Sequence, residues 1–266
     1  MAKIFRRIRQ TLLTENKVSK YLIYAVGEII LVVVGILIAL EIDNRSEQIK
    51  METKELAFLN RLLVDLKNDQ EYLELVRIRK DNKVEAANTI IKFSFNGNND
   101  SIMRIIPYYL QLTSWQAVIP NQNTFNELIS SGSLNILSND SIKNGLLQLD
   151  RNYKALIDWE EVVKQDDYIG NFWTDRNEFD PYNYLSVNKP LVQALGLDDK
   201  ITREQKLTMQ KQLRKDVDKI LKSYKFRTGV LSTRDDYVNQ LTLIEILRKD
   251  VENLIRLLEK ELLRDN

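Results

Sequence analysis

The sequence predicts an all-α fold: one N-terminal transmembrane helix continues into a long heptad-patterned helix, and an elongated extracytoplasmic helical bundle follows. Three observations predict it. Residues 21–40 form an almost uninterrupted apolar run, a heptad repeat begins where that run ends, and no stretch shows the sustained two-residue alternation of a strand. We therefore divide the chain into a basic cytoplasmic tail (1–20), a transmembrane helix (21–41) and an extracytoplasmic, periplasmic domain (42–266).

The apolar run reads YLIYAVGEIILVVVGILIAL, and Glu28 is its one charge. About 20 helical residues at ~1.5 Å rise match a bilayer core of ~30 Å. Its Leu, Ile and Val residues contribute roughly 4 to 8 kcal/mol to insertion, against a cost of about 3 kcal/mol for a central charge. A cleaved signal peptide has a shorter apolar stretch and a small-x-small cleavage site, and a soluble core helix has a polar face. The sequence therefore favours a retained membrane anchor.

The charges on either side of the run predict its orientation. Basic residues dominate before it, and acidic residues dominate just after it. Because cytoplasmic flanks carry the excess of Lys and Arg, we expect the N-terminus in the cytoplasm and the large domain outside it. The flanking charges are Lys3, Arg6, Arg7, Arg9, Glu15, Lys17 and Lys20 before the run, and Glu41, Asp43, Arg45 and Glu47 after it.

Three residues inside the membrane helix are candidate contact residues. Glu28, Gly35 and Ala39 are separated by seven and four positions, so they share one narrow stripe of a helix. Gly35 and Ala39 form a small-xxx-small pair, which permits close helix approach. Glu28 has two readings: a structural contact within a homo-oligomer, which we favour, or a proton- or ion-carrying group.

A long helix is predicted to run from the apolar span to about Ile91. Ile42, Ile49, Leu56 and Leu63 recur every seven residues, and Leu59, Leu66 and Leu73 occupy the complementary positions of the heptad. A polar, Asn-rich turn follows over Phe93–Asp100.

Two shorter helices are predicted next. The first covers Ser101 to Gln116, with Pro107 weakening its centre. Thr124 and Glu127 have the spacing of a capping box, with Thr124 at the N-cap, and they open a short helix that stops near Gly132.

Three long segments complete the bundle. A helix from about Ile142 to Tyr168 is capped by Asn139-Asp140-Ser141, and residues 170–190 form a loop. Further helices cover about Thr202–Tyr224 and Thr233–Leu263. We expect the first and last long helices to pair antiparallel. The buried stripe of the 142–168 helix is predicted to contain Leu146, Leu149, Tyr153, Leu156 and Val163.

The composition excludes several kinds of active site and metal site. The chain has no His and no Cys, so a Ser-His-Asp triad, a Cys nucleophile and a Cys/His zinc site are excluded. The net charge of +1 gives no support for nucleic acid as a partner. The cluster Asp158, Glu160, Glu161, Asp166 and Asp167 is interpreted as a solvated helix face. We expect no catalytic residue, no metal site and no cofactor.

A second candidate surface is rich in aromatic residues. It lies in the predicted loop and contains Phe172, Trp173, Phe179, Tyr182 and Tyr184. These side chains either line a groove for a ligand or partner, or seal the end of the helical bundle; the second reading is favoured.

The N-terminal block resembles the signature of a family of uncharacterised single-pass membrane proteins of Gram-negative bacteria, a domain of unknown function. The signature is an ENK-x-x-KY stretch followed by GEI-x-LVV-x-GILIAL and an Asn-containing acidic exit, and residues 15–44 match it. The later stretch 124–139 is similar to a second motif of that family. Many members carry a Trp after the Asn, where this chain has Arg45 and Ser46. The resemblance implies a bacterial inner-membrane protein with a helical extracytoplasmic domain, and it supplies no activity.

We expect a non-enzymatic protein of the bacterial inner membrane. Its periplasmic helical domain binds a partner or ligand, or acts as a scaffold, within a homo-oligomer or a larger membrane complex. Its partners are the lipid bilayer, further copies of the chain and other membrane or periplasmic proteins. The alternative is a subunit of a proton- or ion-coupled transport or motor complex that uses Glu28.

Overall fold

The computed structural model describes residues 18–96, 104–114, 116–164, 181–197 and 200–264. Within these ranges the chain is helical and has no strand, which confirms the all-α prediction. The helices are α1 (Val18–Asn96), α2 (Ile106–Thr113), α3 (Asn123–Ser130), α4 (Asp140–Val163), α5 (Pro181–Tyr184), α6 (Lys189–Ala194), α7 (Arg203–Lys222) and α8 (Tyr224–Leu262). The chain divides into two compact units, one ending at Phe58 and the other beginning at Leu59.

Helix α1 is unbroken over 79 residues, from Val18 to Asn96. This confirms that the apolar span continues into the heptad-patterned helix. The predicted end near Ile91 is too early, because Phe93 and the residues up to Asn96 still belong to the helix. Residues 97–100 of the predicted turn lie outside the described ranges.

Helix α2 is shorter than predicted, and Pro107 has a different role in it. The helix begins at Ile106 and Pro107 stands in its first turn. A proline is tolerated there because the first N–H groups of a helix have no partner within the helix, whereas it breaks a helix interior. The prediction that Pro107 weakens the centre of a 101–116 helix is therefore wrong. Pro107 marks the start of the helix.

The capping box predicted for α3 is absent. Thr124 lies inside the helix, and Gln122, the residue at the N-cap, makes no side-chain capping bond. The N–H of Thr124 instead donates to Asp65 Oδ2 of α1, at 2.9 Å. A carboxylate from another helix thus caps α3. The predicted stop is confirmed: Gly132 has φ +66°, and its neighbour Ser133 donates to the Leu128 carbonyl, as in a Schellman motif.

Helix α4 follows its prediction closely. The Asn139 side chain accepts hydrogen bonds from the N–H groups of Ser141 and Ile142, so it is the N-cap and the helix begins at Asp140. Residues 165–168, at the predicted end, lie outside the described ranges. The predicted stripe is confirmed as buried: Leu146, Leu149, Tyr153, Leu156 and Val163.

The C-terminal third differs from the prediction at two places. The described end of the supposed 170–190 loop contains the short helix α5, so residues 181–184 are not a loop. Helix α8 begins at Tyr224 instead of Thr233, because Ser223 accepts from the N–H of Phe226 and caps the helix there. Phe226 is buried, so packing stabilises this first turn.

Three long helices form the framework of the bundle that begins at Leu59. Helix α8 runs antiparallel to α1, because its later residues contact earlier residues of α1. The contacts are Lys67–Glu259, Glu74–Arg248, Lys83–Tyr237 and Asn88–Arg234. The predicted antiparallel pairing of the first and last long helices is therefore confirmed. Helix α4 packs antiparallel against α8, through Asn139–Glu261 and Asn152–Asp250, and parallel to α1.

A hydrophobic cluster forms where the C-terminal end of α1 meets α2, α7 and the start of α8. It includes Ala87, Ile90, Ile106, Tyr109, Leu213, Val217, Phe226, Val230 and Tyr237. The Tyr109 and Phe226 rings lie 6.0 Å apart, within aromatic contact distance. This cluster closes one end of the bundle.

Candidate functional site

The N-terminal part of α1 contains a segment that could cross a membrane. By length and composition α1 qualifies, since its most apolar window of 18 residues has a mean hydropathy of 2.7. None of that window is buried in the described part of the chain. A core helix of a soluble domain is mostly buried, so this surface is suited to lipid or to another chain.

The three candidate residues of the membrane helix all lie on α1. The side chain of Glu28 is half-buried, and Ala39 is exposed. A Cβ added to Gly35 would meet no atom within 4 Å, so the space beside this glycine is open. One chain alone therefore leaves the small-residue stripe available for contact.

The heptad pattern separates into two parts at the junction of the two units. Ile42 and Ile49 are 64% and 62% exposed, and Leu56 is also exposed. In contrast, the complementary positions Leu59, Leu66 and Leu73 are buried in the bundle. The apolar positions of the heptad pattern therefore differ in the described part of the chain: Leu59, Leu66 and Leu73 contribute to the core, whereas Ile42 and Ile49 are largely exposed.

The aromatic surface lies mostly outside the described residues. This applies to Phe172, Trp173 and Phe179, and to the side chain of Tyr182, whose backbone belongs to α5. Tyr184 is partly buried and packs against the hydrophobic cluster of α1, α2, α7 and α8. The described member of the set thus contributes to closing the bundle end.

A row of charged side chains is buried between α1 and α4. Asp69, Lys80 and Lys83 of α1 and Glu160 of α4 are all buried. Burying charges costs free energy unless each is paired or hydrogen-bonded, so their partners decide what they do. Several of the partners lie in the connection between α2 and α3, of which residues 114 and 116–122 are described; we call it the clamped segment.

Lys80 and Glu160 form a buried ion pair. The second carboxylate oxygen of Glu160 accepts a hydrogen bond from the N–H of Val118, at 2.9 Å. Val118 is itself buried. Glu160 therefore links α1, α4 and the clamped segment through a single side chain, and the interpretation of Glu160 as part of a solvated face is wrong.

Lys83 lies one turn further along α1 and holds the start of the same segment. Its Nζ donates to the carbonyl of Ser114 and to the Tyr237 hydroxyl. The ammonium also lies 5.0 Å from the centre of the Tyr237 ring, within cation–π distance. Burial, and repulsion by Lys80, lower the pKa of Lys83 to about 8.

Asp69 holds the middle of the clamped segment. It accepts hydrogen bonds from the Tyr153 hydroxyl of α4 and from the N–H of Asn121, the latter at 3.1 Å. Burial raises the pKa of Asp69, against the opposing effect of these two donors. Burial and the charge of Asp69 also raise the pKa of Tyr153, so the hydroxyl keeps its proton and remains a donor.

Ile119 stands out on this segment because its side chain is 73% exposed. The Tyr72 hydroxyl holds the backbone at Ile119 and just before it, accepting from the N–H of Ile119 at 3.0 Å and donating to the Ala117 carbonyl at 3.4 Å. The segment thus has buried polar anchors and presents a large apolar side chain to solvent.

The buried charges had a readable signal in the sequence. Lys80, Lys83 and Asp69 continue the spacing of three and four that the buried leucines of α1 follow. Glu160 likewise stands four residues after Leu156 and three before Val163, on the predicted buried stripe of α4. The spacing of these charged residues, which matches that of the buried stripe, was the signal in the sequence. For Glu160, the many acidic residues around it favoured the interpretation as a solvated face instead.

In the described part of the chain, no group of three His, Cys, Asp or Glu side chains could hold a metal ion. A family model matches residues 28–166, from the membrane helix to just beyond α4, and its description is Family of unknown function (DUF6090). No curated protein and no solved structure matches the chain. The match includes the residues that form the clamped segment and its anchors on α1 and α4.

Proposed function

This chain belongs to the family of unknown function DUF6090, and because membership brings no activity with it, we propose a function from the geometry. The protein is a non-enzymatic, single-pass inner-membrane protein of a Gram-negative bacterium. Its periplasmic helical bundle is a binding or scaffold module that docks another membrane or periplasmic protein. The clamped segment, with Ile119 exposed at its middle, is the contact point.

The membrane placement rests on the exposed apolar part of α1 and on the charges at its two ends. Basic residues precede the span and acidic residues follow it, which supports a cytoplasmic N-terminus and a periplasmic bundle. Protease added to spheroplasts tests this placement. Digestion of a C-terminal tag from outside supports it, and protection of the tag until the inner membrane is lysed contradicts it.

The binding role rests on one observation: a buried polar network holds a segment that presents an apolar side chain to solvent. A loop without anchors loses conformational entropy when a partner binds it, whereas a segment held in advance loses little. A few well-packed side chains near the centre of an interface contribute most of its binding free energy. The arrangement therefore suits protein recognition.

The buried charges support binding over catalysis because each has a structural partner. Glu160 and Lys80 bind each other, Lys83 binds Ser114 and Tyr237, and Asp69 binds Tyr153. A catalytic acid or base needs access to a substrate. These side chains are occupied in positioning the clamped segment.

The test compares two substitutions of exposed apolar residues. Ile119→Asp places a charge in the proposed contact, whereas Leu207→Asp changes a residue of similar exposure, 60%, outside the residues that match the family. We expect crosslinking in membranes followed by purification to recover a partner with wild type and Leu207→Asp. Ile119→Asp lowers the yield about tenfold, which corresponds to ~1.4 kcal/mol. Equal yields for the two variants contradict the assignment.

A further inference from the structure

The exposed part of α1 carries a stripe that continues from the membrane span into the aqueous side. Glu28, Gly35, Ile42, Ile49 and Leu56 recur every seven residues, and all lie in the unit that ends at Phe58. Intermediate positions four residues after these complete a stripe two side chains wide, which we call the seam. These positions are Val32, Ala39, Ser46 and Thr53.

Charge is absent from the aqueous part of the seam although it is frequent around it. Residues 42, 46, 49, 53 and 56 are uncharged, whereas charged residues fill most of the other positions of this stretch. A helix that faces only water has no reason to keep one stripe free of charge. The surrounding charged residues are Glu41, Asp43, Arg45, Glu47, Lys50, Glu52, Lys54 and Glu55.

Thr53 on the seam and Arg45 beside it bond along the helix itself. The Thr53 hydroxyl donates to the Ile49 carbonyl at 2.8 Å, so it needs no water as a partner. Beside the seam, Arg45 pairs with Glu41 at 3.3 Å. The seam can therefore be covered without leaving these groups unpaired.

A repeat of seven residues is suited to another helix. A straight helix drifts by ~20° for each heptad, so a seven-residue stripe stays on one face only if the helix supercoils left-handed around a partner. The seam begins inside the apolar span, where a lateral partner must itself be a membrane helix. Gly35 and Ala39 are small, which lets a second helix approach closely there.

We infer that the occupant of the seam is a second copy of this chain, in a parallel two-stranded coiled coil that runs from Glu28 to Leu56. Copies of a one-span protein insert in the same orientation, so a two-fold axis along the membrane normal brings identical seam positions into register. The inference rests on the proposed membrane placement and adds the partner, the orientation and the residues in contact.

The seam has nine positions on each copy. Together with the residues that flank it in a coiled coil, the contact involves roughly 16 to 18 residues on each copy, somewhat fewer than the about 20 to 30 a side of a standard stable interface. Confinement to the membrane plane raises the effective concentration of the two copies, because both are held in one orientation and one layer.

Single cysteines test the seam in a clean background, since the native chain has none. Ile42→Cys and Ile49→Cys place the thiol on the seam, and Glu47→Cys and Met51→Cys place it on the opposite face of the same helix. In oxidised membranes we expect covalent dimers at both seam positions, at several times the yield of the two controls. In a parallel dimer, residues 42 and 49 each lie next to the same residue of the other copy, so both variants crosslink. In an antiparallel pair, at most one of the two positions lies next to the same residue of the other copy.

Equal yields at seam and control positions, or no dimer at any, overturn the inference. Ile42→Asp combined with Ile49→Cys is expected to lower the crosslink several-fold, and Met51→Asp combined with Ile49→Cys is expected to preserve it. Carbonate extraction of the same membranes separates the two proposals. A chain retained in the membrane without seam crosslinks overturns the dimer alone, whereas a chain released into the supernatant overturns the membrane placement and the dimer together.

Discussion

The two units of this protein use the same kind of helix for opposite purposes. Among the described side chains before Leu59, α1 exposes its isoleucines, valines and leucines; from Leu59 onward the same helix buries Leu59, Leu62, Leu66 and Leu73. Both parts are rich in Leu, Ile and Val, although the apolar span has a single charge and charged residues are frequent from Leu59 onward. In the described part of the chain, only the second part has its apolar face buried. Hydrophobic periodicity therefore predicts that a face is covered, and leaves open by which chain.

The largest effect is expected from removing a buried charge of the bundle, that of Glu160. We expect Glu160→Ala to lower the free energy of unfolding by about 3 to 5 kcal/mol, since it leaves Lys80 and the Val118 N–H buried without their partner. Urea titration in detergent, followed by tryptophan fluorescence, measures it. The neighbouring substitution Glu161→Ala removes an exposed ion pair with Lys164 and should cost less than ~1 kcal/mol. Similar losses for both would show that the network does not support the fold.

The second contrast compares apolar residues of one heptad pattern. Leu73→Ala should cost about 2 to 5 kcal/mol, because Leu73 is fully buried and the substitution leaves a cavity. Ile49→Ala should change the unfolding of the bundle by less than ~0.5 kcal/mol. The same urea titration measures both variants, because the chain's three tryptophans all follow residue 58 and their fluorescence therefore reports on the second unit. A large effect of Ile49→Ala would mean that the exposed part of α1 belongs to the cooperative unit.

The third effect is a pH dependence of the bundle. The pKa of Lys83 is lowered to about 8, against an ordinary value of 10.5. Between these values the unfolded chain binds more protons than the folded one, so stability rises with pH, by up to ~1.4 kcal/mol for each pKa unit. We expect wild type to gain stability from pH 8 to 9.5 and Lys83→Met to lose that gain. Parallel profiles for the two proteins would contradict the lowered pKa.

A smaller effect is expected from two glycines. At Gly145 of α4 an added Cβ would lie 2.7 Å from Leu254 Cδ2, so Gly145→Ala should cost about 1 kcal/mol after the gain in helix propensity. The space beside Gly35 is open within the chain, and Gly35→Ala should leave bundle unfolding unchanged. Thermal unfolding in detergent distinguishes them. A Gly145→Ala variant as stable as wild type would show that α4 and α8 can separate at that point.

The smallest effect is expected at Glu28, which is the one charge of the apolar span. If Glu28 is a structural contact, Glu28→Gln retains hydrogen bonding and should leave the Ile49→Cys crosslink within about twofold of its original yield. Complementation of a deletion strain by the same variant gives a second readout. Intact crosslinking together with lost complementation would favour the alternative in which Glu28 carries protons or ions.

The elements that local rules describe were predictable. Asn139 caps α4, Gly132 ends α3, and the stripe from Leu146 to Val163 is buried, as its spacing predicts. The error at the start of α3 occurred because distant residues replaced local ones. Asp65 caps α3 in place of Thr124, and Arg61 pairs with Glu127, so both members of the supposed capping box have partners on α1.

By itself the sequence determined the helical class, the apolar span, the N-cap of α4 and the end of α3, because these depend on residues within about seven positions of one another. The antiparallel pairing of α1 with α8 was also predicted, from the heptad pattern that both helices carry. Only the tertiary structure decided that Glu160, Lys80 and Asp69 are buried and hold the segment around Ile119. It also decided that the heptad pattern is covered from Leu59 onward and exposed before it. The physical reason is that the cost of burying a charge or exposing an isoleucine depends on which distant groups come into contact, and a local pattern does not contain that information.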